Sequence, residues 1–148
     1  MVQSFEKLLV HIVFSTKNRR PFLNSVSERE ETHAYIGGVI KQFHSIPLCV
    51  GGFADHVHIL CTLSRSTAIA DLVKNIKTGA TGKLKTTIPD FHWQDGYAVF
   101  SVSYSRRQQV IDYINGQEDH HQSVSFQDEF RMLLKKHNIE FDERYVWG

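Results

Sequence analysis

The stretch on which the fold turns is ADHVHILCTL, residues 54–63. Val57, Ile59 and Cys61 alternate with His56, His58 and Leu60, and residues two apart on a β-strand share a face. The spacing predicts a strand over 56–63 with one face apolar and two imidazoles side by side on the other. Just upstream, residues 46–52 read as another strand, joined to it by the turn Gly52-Phe53-Ala54-Asp55.

Working outward, residues 5–15 (FEKLLVHIVFS) are rich in Val, Ile and Phe and predict the first strand of the chain. The loop TKNRRPFL (16–23) follows. Ser27 is placed as the N-cap of a helix to about Phe43, with Glu28, Glu30 and Glu31 in its first turn. Thr67 is placed as the cap of a second helix to about Lys85, whose buried stripe is Ile69, Leu72, Val73, Ile76 and Ala80. Residues 97–103 (YAVFSVS) predict a fourth strand. Arg106 opens a third helix through Val110, Ile111 and Ile114, and residues 126–136 form a last helix before the tail IEFDERYVWG. The order is βαββαβ, the ferredoxin-like α+β sandwich with C-terminal helices appended. Its antiparallel sheet is expected to carry helices on one face and leave the other open to a ligand or partner. No repeat or linker divides residues 1–148, so one domain is expected.

The composition of the 148 residues, 41% hydrophobic and 22% charged, is that of an ordinary globular protein. No segment approaches the roughly 18 apolar residues of a membrane span, and residues 1–6 lack the basic start of a signal peptide. Cys49 and Cys61 lie in apolar runs, which suits buried free thiols and a reducing cytoplasm. The net charge of +1 conceals an asymmetry: residues 1–117 hold 13 Lys/Arg against 9 Asp/Glu, and residues 118–148 hold 4 against 7. A basic body with an acidic tail is compatible with a nucleic-acid partner without requiring one.

His-x-His on a strand can reach one metal ion, although alone it more often marks two half-exposed strand residues. A second constellation lies in VIDYINGQEDHHQ, residues 110–122. On a helix Tyr113 and Gln117 are one turn apart on one face. A phenol with an ordinary pKa of about 10 needs nearby positive charge to attack a phosphodiester at pH 7. A metal ion would supply it, and Gln117 offers a neutral oxygen to join the imidazoles. The P-loop lookalike GATGKL (79–84) has only two residues between its glycines and Leu84 in place of Ser/Thr, which excludes a P-loop ATPase.

With both motifs in view, the chain resembles the single-tyrosine HUH transposases of small bacterial insertion sequences, the group that includes the REP-associated tyrosine transposases. HVH (56–58) is similar to their His-hydrophobe-His motif, and YINGQ (113–117) to their Tyr-x-x-x-Gln helix. VHIVFSTKNRRPFL, GGFADHVHIL and FQDEF match in the expected order along essentially the whole chain. The resemblance implies a dimer acting on hairpins in single-stranded DNA, with Mg²⁺ or Mn²⁺ held by His56, His58 and Gln117. It implies that Tyr113 attacks the scissile phosphate to give a 5′-phosphotyrosine link and a free 3′-hydroxyl, and that the tyrosine helix can come from the partner subunit.

DNA contact is assigned to Lys17, Arg19 and Arg20 in the first loop, to Lys74, Lys77, Lys83 and Lys85 of the second helix, and to Arg106 at the start of the third. Such cations give affinity without sequence choice. His120 and His121 are left outside the metal set. Two other functions fit parts of the pattern: a non-catalytic single-strand-binding module, and a zinc hydrolase using His56, His58 and His120 or His121.

Overall fold

The computed structural model describes residues 2–148. The strands are β1 (Leu9–Ser15), β2 (Pro47–Phe53), β3 (His56–Thr62) and β4 (Ala98–Val102). The helices are α1 (Val26–Gln42), α2 (Ile69–Leu84), α3 (Arg107–Asn115), α4 (Gln117–His120) and α5 (Phe126–Lys136). All strand pairs are antiparallel in the order β2-β3-β1-β4, the ferredoxin-like α+β arrangement expected from the sequence. The β1–β3 register sets Val13 opposite His58 and Ser15 opposite His56.

The alternation in β3 separates two layers. Val57, Ile59 and Cys61 join Val10, Ile12 and Phe14 of β1 beneath α1 and α2, where Ile36, Ile40, Leu72 and Ile76 are buried with them. Burying each such side chain contributes about 1.5–3 kcal/mol, so this layer carries most of the stability. The opposite face, expected to be open, is covered by the chain's own C-terminal helices. Ile114 of α3 packs on Leu9 and Leu60, and Phe126 and Leu134 of α5 pack on Val13, Ala98 and Phe100. These helices are amphipathic, and the second sheet face is the apolar surface left for them.

Several boundaries differ from the expected ones. β1 begins at Leu9 rather than residue 5. α1 is capped by Ser25, whose side chain accepts from the Glu28 N–H, rather than by Ser27. Ala68 occupies the N-cap of α2, and the Thr67 hydroxyl donates instead to the Phe43 carbonyl. The third helix breaks at Gly116, so Gln117 begins the short α4 rather than continuing the turn of Tyr113. α3 lies very close to β2: a Cβ on Gly51 would sit 2.7 Å from Ile114 Cγ2, so this contact requires glycine. The tail folds back on α5, with Arg131 bonding Glu143 and lying over Trp147.

Candidate active site

β3 delivers His56 and His58 beneath α3, α4 and α5, where both imidazoles are fully buried. Each has both ring nitrogens paired. His56 Nδ1 lies 2.7 Å from Asp55 Oδ1 and its Nε2 2.7 Å from Gln117 Oε1. His58 Nδ1 lies 2.8 Å from His11 Nε2, and its Nε2 3.0 Å from Glu129 Oε1. An imidazole held at one nitrogen by a fixed partner presents the other in a defined tautomer and direction. Asp55 and His11 are placed to do this for His56 and His58.

Glu129 of α5 is the hub of the cluster, and the sequence reading did not include it. Its carboxylate accepts hydrogen bonds from the Tyr113 hydroxyl and from Gln117 Nε2 at 2.8 Å. His121 Nε2 lies 3.2 Å from it and 2.9 Å from Gln117 Oε1. Tyr113, Gln117, His56 and His58, drawn from β3, α3 and α4, thus converge within one chain, and His121 joins them. His56, His121 and Glu129 each offer a ligand atom, and these atoms lie within 4.8 Å of one another.

The charges follow from this packing. Burial opposes ionisation of Glu129, yet hydrogen bonds from His121 and His58 outweigh it and hold the carboxyl well below its usual range. Burial likewise opposes a charge on His121, but Glu129 and the Val124 carbonyl raise its pKa. His58 is lowered to about 4, chiefly by burial, and His11 to about 3 by burial and then by His58. Burial, and next the Glu129 charge and hydrogen bond, push the Tyr113 phenol up. Tyr113 is thus a hydrogen-bond donor rather than a phenolate.

The cations assigned to DNA differ in their surroundings. Lys17, Lys74, Lys85 and Arg106 are exposed. Arg20 pairs with Asp90 at 3.1 Å, and Lys83 with Glu31 at 3.4 Å. Arg19 lies over Trp147. Lys77 donates to the carbonyls of Gln94 and Gly96 at 2.9 and 2.7 Å, so its ammonium serves the β4 approach rather than a lysine face of α2.

Two signals for the missed residues were present. Glu129 is three residues after Phe126 and one before Phe130, an acid on the apolar stripe of a helix where a carboxylate needs a polar partner. His11 interrupts an otherwise apolar strand in the same way.

One face of a four-stranded ferredoxin-like sheet thus carries a tyrosine, a His pair and a carboxylate in a single cluster. The family comparison is specific: residues 4–117 match the family described as "Transposase IS200 like", and the chain belongs to that family. It is 30% identical over 73 residues to the ISDra2 transposase TnpA of Deinococcus radiodurans, a match covering 44% of this chain and 52% of that protein. The chain thus matches about half the length of that relative. Among solved structures, a putative transposase from Deinococcus radiodurans R1 superposes with a TM-score of 0.63 at 22% identity, over 79% of this chain and 95% of that one. A REP-associated tyrosine transposase bound to a REP hairpin gives 0.62 at 16% identity, over 84% and 74%. Both share the fold. Among the described residues no helix is long and apolar enough to cross a membrane.

Proposed function

We propose that this transposase cleaves and rejoins single-stranded, hairpin-containing DNA, with Tyr113 as the nucleophile and a Mg²⁺ or Mn²⁺ ion at the His cluster. The observation that carries the reading is the meeting of Tyr113, Gln117 and His58 on the single carboxylate of Glu129. A nucleophile, two imidazoles and two side-chain oxygens within reach of one phosphate are what a metal-assisted transesterification needs. The carboxylate and amide oxygens of the donor set suit Mg²⁺ or Mn²⁺, and the neutral imidazoles add nitrogen donors beside them. His56, His58 and Gln117 would hold it, with Glu129 and His121 beside them. When bound, it polarises the phosphoryl oxygen and offsets its charge.

Glu129 is positioned to take the Tyr113 proton as the phenolic oxygen bonds to phosphorus. The P–O3′ bond breaks and the departing 3′-oxygen takes a proton from solvent, leaving a 5′-phosphotyrosine. One phosphodiester replaces another, so no nucleotide hydrolysis is required. Attack by a DNA 3′-hydroxyl reverses the step and rejoins strands. The protein works in this reading as a cytoplasmic homodimer.

The test is covalent capture: labelled single strands from the DNA flanking the coding sequence are mixed with protein and Mn²⁺ and run on a denaturing gel. The expected adduct forms with metal, disappears in EDTA, and is absent from Tyr113→Phe. Tight binding without any adduct would point instead to a non-catalytic module. Mixing Tyr113→Phe with His56→Ala protein tests the assembly, since recovered adduct means that tyrosine and His pair act across a dimer. One observation favours a second reading: His56, His121 and Glu129 form a His₂Glu set of the kind zinc hydrolases use. That reading predicts tight zinc binding and hydrolytic turnover undiminished by Tyr113→Phe.

A further inference from the structure

A cavity of about 590 Å³ opens between β4, α3 and α5, with Tyr113 in its wall. It falls within the roughly 300–1,000 Å³ of small-ligand sites. Two parts of its lining stand out. His137 is its exposed aromatic wall, stacked at 4.1 Å and 21° on the buried ring of Phe100. Arg106 and Lys136 stand at the exposed rim with Gln109. Among the described residues no carboxylate lines it. A second cavity, of about 410 Å³, is of another kind: Asp95 and the C-terminal tail line it, and Tyr113 is not among its lining residues.

We propose that the cavity beside Tyr113 is a subsite for one unpaired nucleotide of the attacked strand, its base against the exposed ring of His137 and its phosphate toward Arg106 and Lys136. This rests on the reading of Tyr113 as the nucleophile that meets a DNA phosphate. An aromatic wall receives any base through its π-face, and cations at the rim bind the backbone without sequence choice. β4 is an edge strand, so the cavity also borders unpaired main-chain donors and acceptors that can meet a base edge. The occupant must be unpaired, because a base inside a duplex exposes neither face for stacking. Filling the subsite would hold the adjoining phosphodiester beside the Tyr113 hydroxyl, which is how positioning lowers a barrier.

The test uses fluorescein-labelled dT12 in EDTA, with binding read by anisotropy across a salt series. Gln109→Trp fills the cavity from an exposed helix position, and Lys136→Glu reverses a rim charge. Lys41→Glu, on the exposed far end of α1, controls for net charge. Expected are at least tenfold weaker binding for Gln109→Trp and Lys136→Glu, and less than a twofold change for Lys41→Glu. Lys136→Ala should reduce the slope of log affinity against log salt by about 0.7, the value for one lost single-strand phosphate contact. A 5-iododeoxyuridine strand should photo-cross-link within residues 100–113 or 133–137. The proposal is overturned if folded Gln109→Trp and Lys136→Glu bind within twofold of wild type, if wild type does not bind dT12, or if cross-links fall elsewhere. The subsite and the chemistry fail separately. Cavity-dependent binding of dT12 by the wild-type protein without any adduct removes only the nucleophile, and a normal adduct in Gln109→Trp removes only the subsite.

Discussion

The two faces of β3 are built from alternate residues of one seven-residue strand and are held in opposite ways. On the α1–α2 side Val57, Ile59 and Cys61 are buried among aliphatic and aromatic side chains, and contact area does the stabilising. On the α3–α5 side His56 and His58 are equally buried, yet their surroundings are partners for each ring nitrogen. A buried imidazole without such partners loses its solvation with nothing in return. The dry face therefore tolerates apolar side chains of similar volume, whereas the polar face depends on particular atoms in particular places. Stability rests on one side and chemistry on the other.

Substitutions on the two faces should separate these roles. His56→Ala is expected to abolish the metal-dependent DNA adduct outright while lowering the melting temperature only modestly. Capture gels and thermal unfolding on the same preparation check both. Ile59→Ala, three residues along on the opposite face, should do the reverse. A fully buried isoleucine truncated to alanine costs about 2–5 kcal/mol, read by denaturant unfolding, while adduct formation persists wherever the variant remains folded. Adduct loss in well-folded Ile59→Ala would mean that the two faces are not separable.

The dry face was legible because it depends on periodicity, and periodicity is local. The alternation in β3 and the apolar stripe of α2 led to the correct layers and element order. Tyr113 and Gln117 were legible as neighbours from helical spacing, although Gly116 breaks the helix between them. Glu129 was not, because its meaning is tertiary. It lies 71 residues from His58, and in isolation an acid near a helix start reads as a complement to the helix dipole. His121 was set aside for the same reason, since its distance to Glu129 exists only once α4 and α5 fold back over the sheet. The covered second face was also missed. A helical tail appended to a ferredoxin-like order does not announce which surface it will bury.

Glu129 offers a finer test of the polar face. Glu129→Gln keeps the shape and removes the charge that Tyr113, Gln117, His58 and His121 share. It should weaken Mn²⁺ binding by at least about tenfold, as losing a partner of metal-ligating histidines does, measured by calorimetry or Mn²⁺ resonance. Glu129→Ala leaves those donors without their common acceptor and should cost about 1–3 kcal/mol of stability besides. Equal stability for the two variants would show that the carboxylate's hydrogen bonds contribute nothing to holding α5 in place.

The smallest effect concerns a histidine on the wrong side of the comparison. His33 lies in α1, and its Nε2 is buried with no hydrogen-bond partner among the described residues. Burial, then Arg29 and His56, lower its pKa to about 4. The folded protein therefore keeps His33 neutral, while the unfolded chain takes up a proton below about 6.5. The unfolded state binds more protons between those values, so stability falls as pH drops from about 6.5 to about 4 and this contribution is level above and below. His33→Leu removes the unpaired nitrogen and the titration together. It should raise stability at pH 7 by about 1 kcal/mol or less and flatten denaturation midpoints across that window. A variant whose acid sensitivity matches wild type would place the titrating groups on the polar face instead, where every proton taken up must displace a hydrogen bond already made.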